Sequence, residues 1–153
     1  MALTKILSGG MGTGVGGKIL QVLQETLNTT TGTTSGSSSF ATYITKAITP
    51  SSTSSKILII ATINCYAQRG TSYDGPQHES KLLRGSTHIA GNNFFYQRDN
   101  VNSTKFHATD HNISYLDSPS TTSEVTYNLQ SRYSSGNSIQ FRNGFLTLIE
   151  VSG

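Results

Sequence analysis

From Phe40 onward, apolar and polar positions along the chain alternate with a period of two, and no stretch settles into the 3.6-residue rhythm of a helix. Phe40, Thr42, Ile44, Lys46 and Ile48 alternate with Ala41, Tyr43, Thr45, Ala47 and Thr49, which predicts a strand with both faces partly covered. Thr49 to Ser55, TPSSTSS, breaks the pattern, with Pro50 setting φ for a turn. Lys56 to Ala67, KILIIATINCYA, is the most apolar stretch and is rich in β-branched residues. It reads as a central strand buried on both faces. Gln68 to Ser80, QRGTSYDGPQHES, carries two glycines, a proline and a D-G pair and reads as a long surface loop. Beyond it come KLLRGSTHI, NFFYQRD, KFHATDHNISYLD, EVTYNLQSRY, NSIQFR and FLTLIEVS, most of them separated by turn signals. With KILQVLQETL (Lys18 to Leu27) as the first strand, this makes about eight or nine short strands, an all-β protein of the jelly-roll-like β-sandwich kind.

The first 17 residues stand apart from this pattern. Leu3, Ile6 and Leu7 form a short apolar anchor, and Gly9, Gly10, Gly12, Gly14, Gly16 and Gly17 follow it. Such a run has no side chains with which to pack a core, so residues 1–17 are expected to be a flexible Gly-rich N-terminal arm and hinge, with the β-sandwich domain in 18–153. A Thr/Gly/Ser tract from Asn28 to Ser39 is expected to be a mobile loop or exposed hairpin. One motif occurs twice: Pro50-Ser51-Ser52-Thr53-Ser54 and Pro119-Ser120-Thr121-Thr122-Ser123 each lead into a strand. Both suggest a corner in which proline ends one strand and hydroxyl side chains satisfy the turn backbone.

Composition strengthens the all-β reading. Ser and Thr together make up 43 of 153 residues and charged residues only 12%, a balance that favours strands and turns over exposed helices. The 11 basic and 8 acidic residues are scattered without runs, so no basic stripe is available for nucleic acid. The single cysteine, Cys65, rules out an intrachain disulfide framework. No run approaches the roughly 18 apolar residues that a membrane span needs, and the N-terminus is too short in apolar residues for a signal peptide. The expected place of synthesis is therefore a cytoplasm.

Several motifs invite chemistry and do not sustain it. Gly12 to Lys18 fits G-x-x-x-x-G-K, but Ile19 stands where a phosphate loop needs Ser or Thr for magnesium, and a strand pattern follows instead of a helix. Gly12 to Gly17 fits G-x-G-x-x-G without a strand–helix–strand unit around it. His107 and His111 lie four apart in a run that reads as a strand, about 13 Å end to end, too far to grip one zinc. No nucleophile elbow and no outstanding carboxylate pair occurs. The three sequons, at Asn28, Asn102 and Asn112, come without a secretory signal. Neither enzymatic activity nor a cofactor or metal is expected. In the Gln68 to Ser80 loop, Arg69, Tyr73, Asp74 and His78 have the aromatic and planar polar character that suits a glycan.

The segments GGKILQVLQ (Gly16 to Gln24), ITPSSTSSKILIIATIN (Ile48 to Asn64), YLDSPSTTSEVTYNLQ (Tyr115 to Gln130) and LTLIEVSG (Leu146 to Gly153) resemble structural proteins of marine tailed bacteriophages. Those proteins look like fibre or appendage modules opening on a leader similar to MALTKILSGG. The resemblance implies a virion structural protein: a fibre knob, appendage or capsid decoration, assembled in the host cytoplasm and carried in the virion. It brings no catalytic residues. The expected partners are other virion proteins, reached through Leu3, Ile6 and Leu7, and further copies of the chain as a homotrimer, because the short C-terminal apolar strand Phe145 to Val151 is similar to that of trimeric jelly rolls of the tumour-necrosis-factor-like kind. Host surface glycan, bound through the 68–80 loop, is the alternative role. Gln68 to Phe106 carries none of the shared motifs, as suits a variable, outward-facing region.

Overall fold

The computed structural model describes residues 18–28, 39–69, 77–96, 105–135 and 138–153. Among them lie eight strands and no helix: β1 (Ile19–Leu27), β2 (Ala41–Ile48), β3 (Lys56–Arg69), β4 (Gln77–Arg84), β5 (Thr87–Tyr96), β6 (Lys105–Asp117), β7 (Val125–Ser135) and β8 (Ser138–Val151). β1 pairs with β8, β2 with β7, β3 with β6 and β4 with β5, all antiparallel. Each pair joins a strand counted from the chain's start to its counterpart counted from the end, as if one long hairpin had been rolled up. The pairings β3·β8 and β4·β7 complete two four-stranded sheets, β1-β8-β3-β6 and β2-β7-β4-β5. This is a jelly roll.

The strands are longer than the turn signals suggest. β3 and β8 each run 14 residues. The expected loop Gln68 to Ser80 is trimmed from both sides, because β3 stays paired to Arg69 and β4 begins at Gln77, where partner strands satisfy the backbone groups. KLLRGSTHI is divided between β4 and β5 by a turn whose Gly85 has φ 57. NSIQFR and FLTLIEVS form one strand, β8, through a register shift opposite Ile63 and Asn64. Gly144 lies in this irregularity, where a Cβ would come within 2.6 Å of the Thr62 carbonyl oxygen.

Period-two alternation supplies the core. Ile57, Ile59, Ala61, Ile63 and Cys65 of β3 point between the sheets, meeting Leu146 and Leu148 of β8, Ile44 and Ile48 of β2, Leu129 of β7 and Leu82 of β4, all buried. Each fully buried aliphatic side chain contributes about 1.5–3 kcal/mol relative to exposure. Burial pushes the Cys65 thiol up to about 12, leaving it an inert apolar group.

Register also gives the molecule two distinct ends. At one, Lys56 pairs with Val151, Ile57 with Asp117 and Ile19 with Val151. Both Pro-Ser/Thr segments cross between the sheets here. Within them the Ser54 amide donates to Ser52 Oγ (3.2 Å) and the Ser123 amide to Thr121 Oγ1 (3.0 Å), the same device used twice. Each corner has a buried carboxylate beside it. Glu150 accepts hydrogen bonds from the Ser51 amide (2.7 Å), Ser51 Oγ (2.6 Å) and Gln21 Nε2 (2.6 Å). Asp117, just before the second corner, accepts from Arg84 (3.0 Å) and from the Tyr127 hydroxyl (2.7 Å). At the opposite end, Arg69 pairs with Lys105, Gln68 with Ser138, and Gln77 with both Tyr96 and Ser135. The strand ends flanking 70–76, 97–104 and 136–137 all lie there, and this is called the loop end below.

Candidate interaction surface

The two sheets differ in what they show to solvent. On the β2-β7-β4-β5 sheet the outer side chains are polar and paired with one another. Gln130 donates to Thr42 Oγ1 (2.9 Å), Thr45 to Asn128 (2.9 Å), and Arg132 forms an ion pair with Glu79 at 2.8 Å. Lys81 lies over the Phe40 ring at 3.9 Å. Such a face is satisfied by water and by its own neighbours.

The outer face of the β1-β8-β3-β6 sheet is graded along its length. Near the corner end, Val22 pairs with Ile149, Ile149 with Leu58 and Leu58 with Leu116, so one apolar row crosses all four strands. Val22 is 56% exposed and Leu116 50%. Leu20, in the bulge of β1, and Ile60, one step along β3, extend the row and are also exposed. Next along come Gln24 and Thr147 with Ile60 and Ser114, then Thr26, Phe145, Thr62 and Asn112, with Thr62 donating to Asn112 (2.7 Å). Towards the loop end, Asn64 donates to Asp110 (2.7 Å) and the Arg142 guanidinium covers the Tyr66 ring at 3.8 Å. Three successive rows therefore carry no charge and the first of them is wholly apolar, while one step nearer the corners the exposed Lys56 pairs with Val151.

KILIIATINCYA accounts for this row. A strand apolar on both faces is ordinarily covered on both. Here Ile57, Ile59 and Ile63 are buried by the opposite sheet, while Leu58 is half-buried and Ile60 exposed. The expectation of burial on both faces is corrected within a single copy of the chain: one face is covered and the other is open. Val22, Leu58, Leu116 and Ile149 were not singled out in the sequence, because which alternate positions share an outer row depends on strand pairing across 127 residues of chain, from Val22 to Ile149.

Inside the sandwich sits a polar cluster that the sequence does not announce. His78 of β4 is 1% exposed, and its ring stacks on that of His111 of β6 at 4.4 Å with 27° between the planes. His111 Nδ1 lies 2.8 Å from Ser80 Oγ, which lies 2.8 Å from Ser131 Oγ of β7. Burial, and then the neighbouring His111, pulls His78 down to about 3. Burial also lowers His111, with Asp110 opposing it. Both rings are neutral at neutral pH. A Ser–His pair in this geometry resembles a nucleophile and base, but Ser80 is fully buried and no substrate reaches it.

Of the residues singled out for glycan binding, His78 is therefore a correction: it belongs to a buried strand position, since inward alternation along β4 carries it and Ser80 into the core. Arg69 is the last residue of β3, at the loop end. Tyr73 and Asp74 lie outside the described residues, as do Leu3, Ile6, Leu7 and Gly9, Gly10, Gly12, Gly14, Gly16 and Gly17. His107 and His111 both lie on strand β6. Among the described residues, no group of three or more His, Cys, Asp or Glu side chains could hold a metal ion, and no helix is long and apolar enough to cross a membrane.

No family model matches the chain, and no curated protein matches it. Among solved structures, a chain of the infectious bursal disease virus Gx strain aligns with 90% of this chain and 38% of its own, at 8% identity and TM-score 0.47. The VP2 subviral particle of infectious bursal disease virus aligns with 87% of this chain and 33% of its own, at 10% identity and TM-score 0.47. Dimeric latent PorU from Porphyromonas gingivalis aligns with 95% of this chain and 14% of its own, at 13% identity and TM-score 0.48. The chain thus spans about a third of the length of the viral chains it matches and much less of PorU. The assignment of the jelly roll stands on the strand order of the protein itself.

Proposed function

We propose that the protein is a structural component of a tailed-bacteriophage virion, an appendage or fibre-knob subunit or a capsid decoration. In this reading it assembles with copies of itself as a homotrimer and docks to the particle through Leu3, Ile6 and Leu7, with Gly9 to Gly17 as the hinge. The observation that carries the reading is the polarity of the sandwich. Residue 18, to which the arm is joined, is fixed at the corner end, where the Lys18 amide donates to Ser152 Oγ (2.9 Å) and the Ser152 amide to the Lys18 carbonyl (2.9 Å). The apolar row is at the same end, and the long connections leave from the other. An anchor at one pole and variable loops at the opposite pole suit a subunit that is attached on one side and outward-facing on the other. The sequence resemblance to marine phage appendage modules supports the same role. Deleting residues 1–17 is expected to leave a soluble folded domain that no longer enters particles. Particles that incorporate the truncated chain at the normal level would remove the docking role from the arm.

A second reading, a receptor-binding adhesin for host surface glycan, is favoured by one observation. Near the loop end, Tyr66, Arg142, Asn64 and Asp110 place planar polar groups on the sheet next to the start of the 70–76 connection. Replacing Arg69, Tyr73 and Arg142 together by Ala is expected to abolish host-cell adsorption while particle incorporation stays normal. Unchanged adsorption and unchanged glycan-array binding would end this reading.

A further inference from the structure

We infer that the outer face of the β1-β8-β3-β6 sheet is the surface through which copies of the chain join, so that a second copy covers Val22, Ile149, Leu58 and Leu116. This rests on the reading above that copies of the chain assemble, and it adds which surface joins them.

Three observations lead to it. The first is where apolar exposure lies. Among the described residues, the exposed large apolar side chains are Ile19, Leu20, Val22, Ile60, Tyr115 and Leu116, and all of them belong to this one sheet. Half-buried Leu58, Phe145, Ile149 and Val151 of its two central strands adjoin them. The second is charge. Every copy carries the same net charge of +3, so contact between copies gains nothing from net attraction and falls where charge is least. On this face Lys56 stands at the corner margin, Asp110 and Arg142 stand towards the loop end, and the three rows between them are uncharged. At such a margin a lysine keeps its ammonium in water while its aliphatic stem is covered. The other outer face carries Glu79, Lys81 and Arg132 on its central strands β4 and β7. Contacts between identical subunits are depleted of charge at their centre and more apolar than the remaining surface, as the β1-β8-β3-β6 face is. The third is area. Six rows from Lys56 to Tyr66, on four strands narrowing to three beyond Leu27, cover on the order of 700 Å² at about 6.8 Å per row and 4.8 Å per strand. The whole face, its polar loop-end rows included, is thus close to the roughly 800 Å² that one partner gives to a standard interface. Its apolar rows form the dry part of such a contact, and Asn64, Asp110 and Arg142 a polar rim.

Sedimentation velocity of the full chain between about 1 and 100 μM tests this, with Val22→Asp and Leu116→Asp as separate variants and Thr45→Asp, on the polar outer face of the other sheet, as the control. Val22 and Leu116 are at least half exposed in a single copy, so each variant is expected to keep the wild-type circular dichroism spectrum. The wild-type chain is expected to associate in this range. Each face variant is expected to weaken association at least about 100-fold, because the new carboxylate is buried without a partner, whereas Thr45→Asp stays within about threefold of wild type. Association that survives both face variants, or that Thr45→Asp disrupts equally, would refute this face while leaving the assembly of copies standing. A wild-type chain that is monomeric at 100 μM would refute both. Particle incorporation is read separately: particles without the chain would end the virion reading and leave the sedimentation result untouched.

Discussion

At the scale of single residues, the buried polar groups make stability depend on pH in one direction. His78 and His111 have ordinary values of 6.5 when unfolded and lower ones when folded, so below pH 6.5 the unfolded chain takes up protons that the folded one does not. Their contribution is complete above pH 6.5 and is lost as the pH falls, by at most about 1.4 kcal/mol per pH unit for each ring. The charge of Asp110, next to His111 in β6 but on the outer face, opposes the shift and moderates its share. Glu150 acts lower on the scale. Burial alone would raise its carboxyl, but hydrogen bonds, those of Ser51 foremost, outweigh it and hold it at about 2 against 4.5. Its contribution is present above pH 4.5 and lost as the pH falls towards 2. Urea unfolding across this range is expected to show stability falling from pH 6.5 downward. A His78→Leu variant is expected to make the curve shallower between 6.5 and 4.5, leaving the share of His111, and Glu150→Gln only below 4.5. A wild-type curve that is level from pH 7 to pH 5 would contradict the burial of the histidine pair. Glu150→Gln is also expected to cost about 2 kcal/mol at neutral pH, because a carboxylate that accepts three hydrogen bonds is replaced by an amide with one acceptor.

At the scale of elements, the irregularity in β8 is the most sensitive point of the main sheet. Gly144→Ala places a methyl group against the Thr62 carbonyl oxygen, a backbone atom that can move only if β3 moves. Overpacking of this kind costs about 1–3 kcal/mol, and a drop in melting temperature of that order, with a folded structure retained, is the expected result. A Gly85→Ala change meets no atom within 4 Å and is strained by its φ alone, so its cost is expected to be the smaller. The elements also show where sequence reading reaches its limit. The strand at Lys56, the first strand at Ile19 and the paired Pro-Ser/Thr corners were legible, because alternation, β-branching and proline act locally. The length of β8 was not, since NSIQFR and FLTLIEVS are joined through Asn143 and Gly144 only by pairing with β3. The same holds for His78. Its D-G and proline neighbours give a turn signal, and only the pairing of β4 with β7 carries it inward.

At the scale of the whole molecule, the roll of strands places the start of the first strand and the end of the last side by side, with both corners at the same pole, and sends the long connections to the other. The apolar row on the outside of the β1-β8-β3-β6 sheet follows from that arrangement together with a β3 segment that is apolar on both faces. What the sequence carried at this scale was the class of fold. The row itself was hidden, because its four members come from four strands far apart in the chain. The most direct test of the central claim is a reconstruction of the assembled particle at a resolution that traces this chain. The account predicts the sandwich at the particle surface with Lys18 and the corners turned towards the particle and the connections 70–76 and 97–104 turned outward. A particle lacking the chain, or one holding it with the loop end inward, would contradict the account.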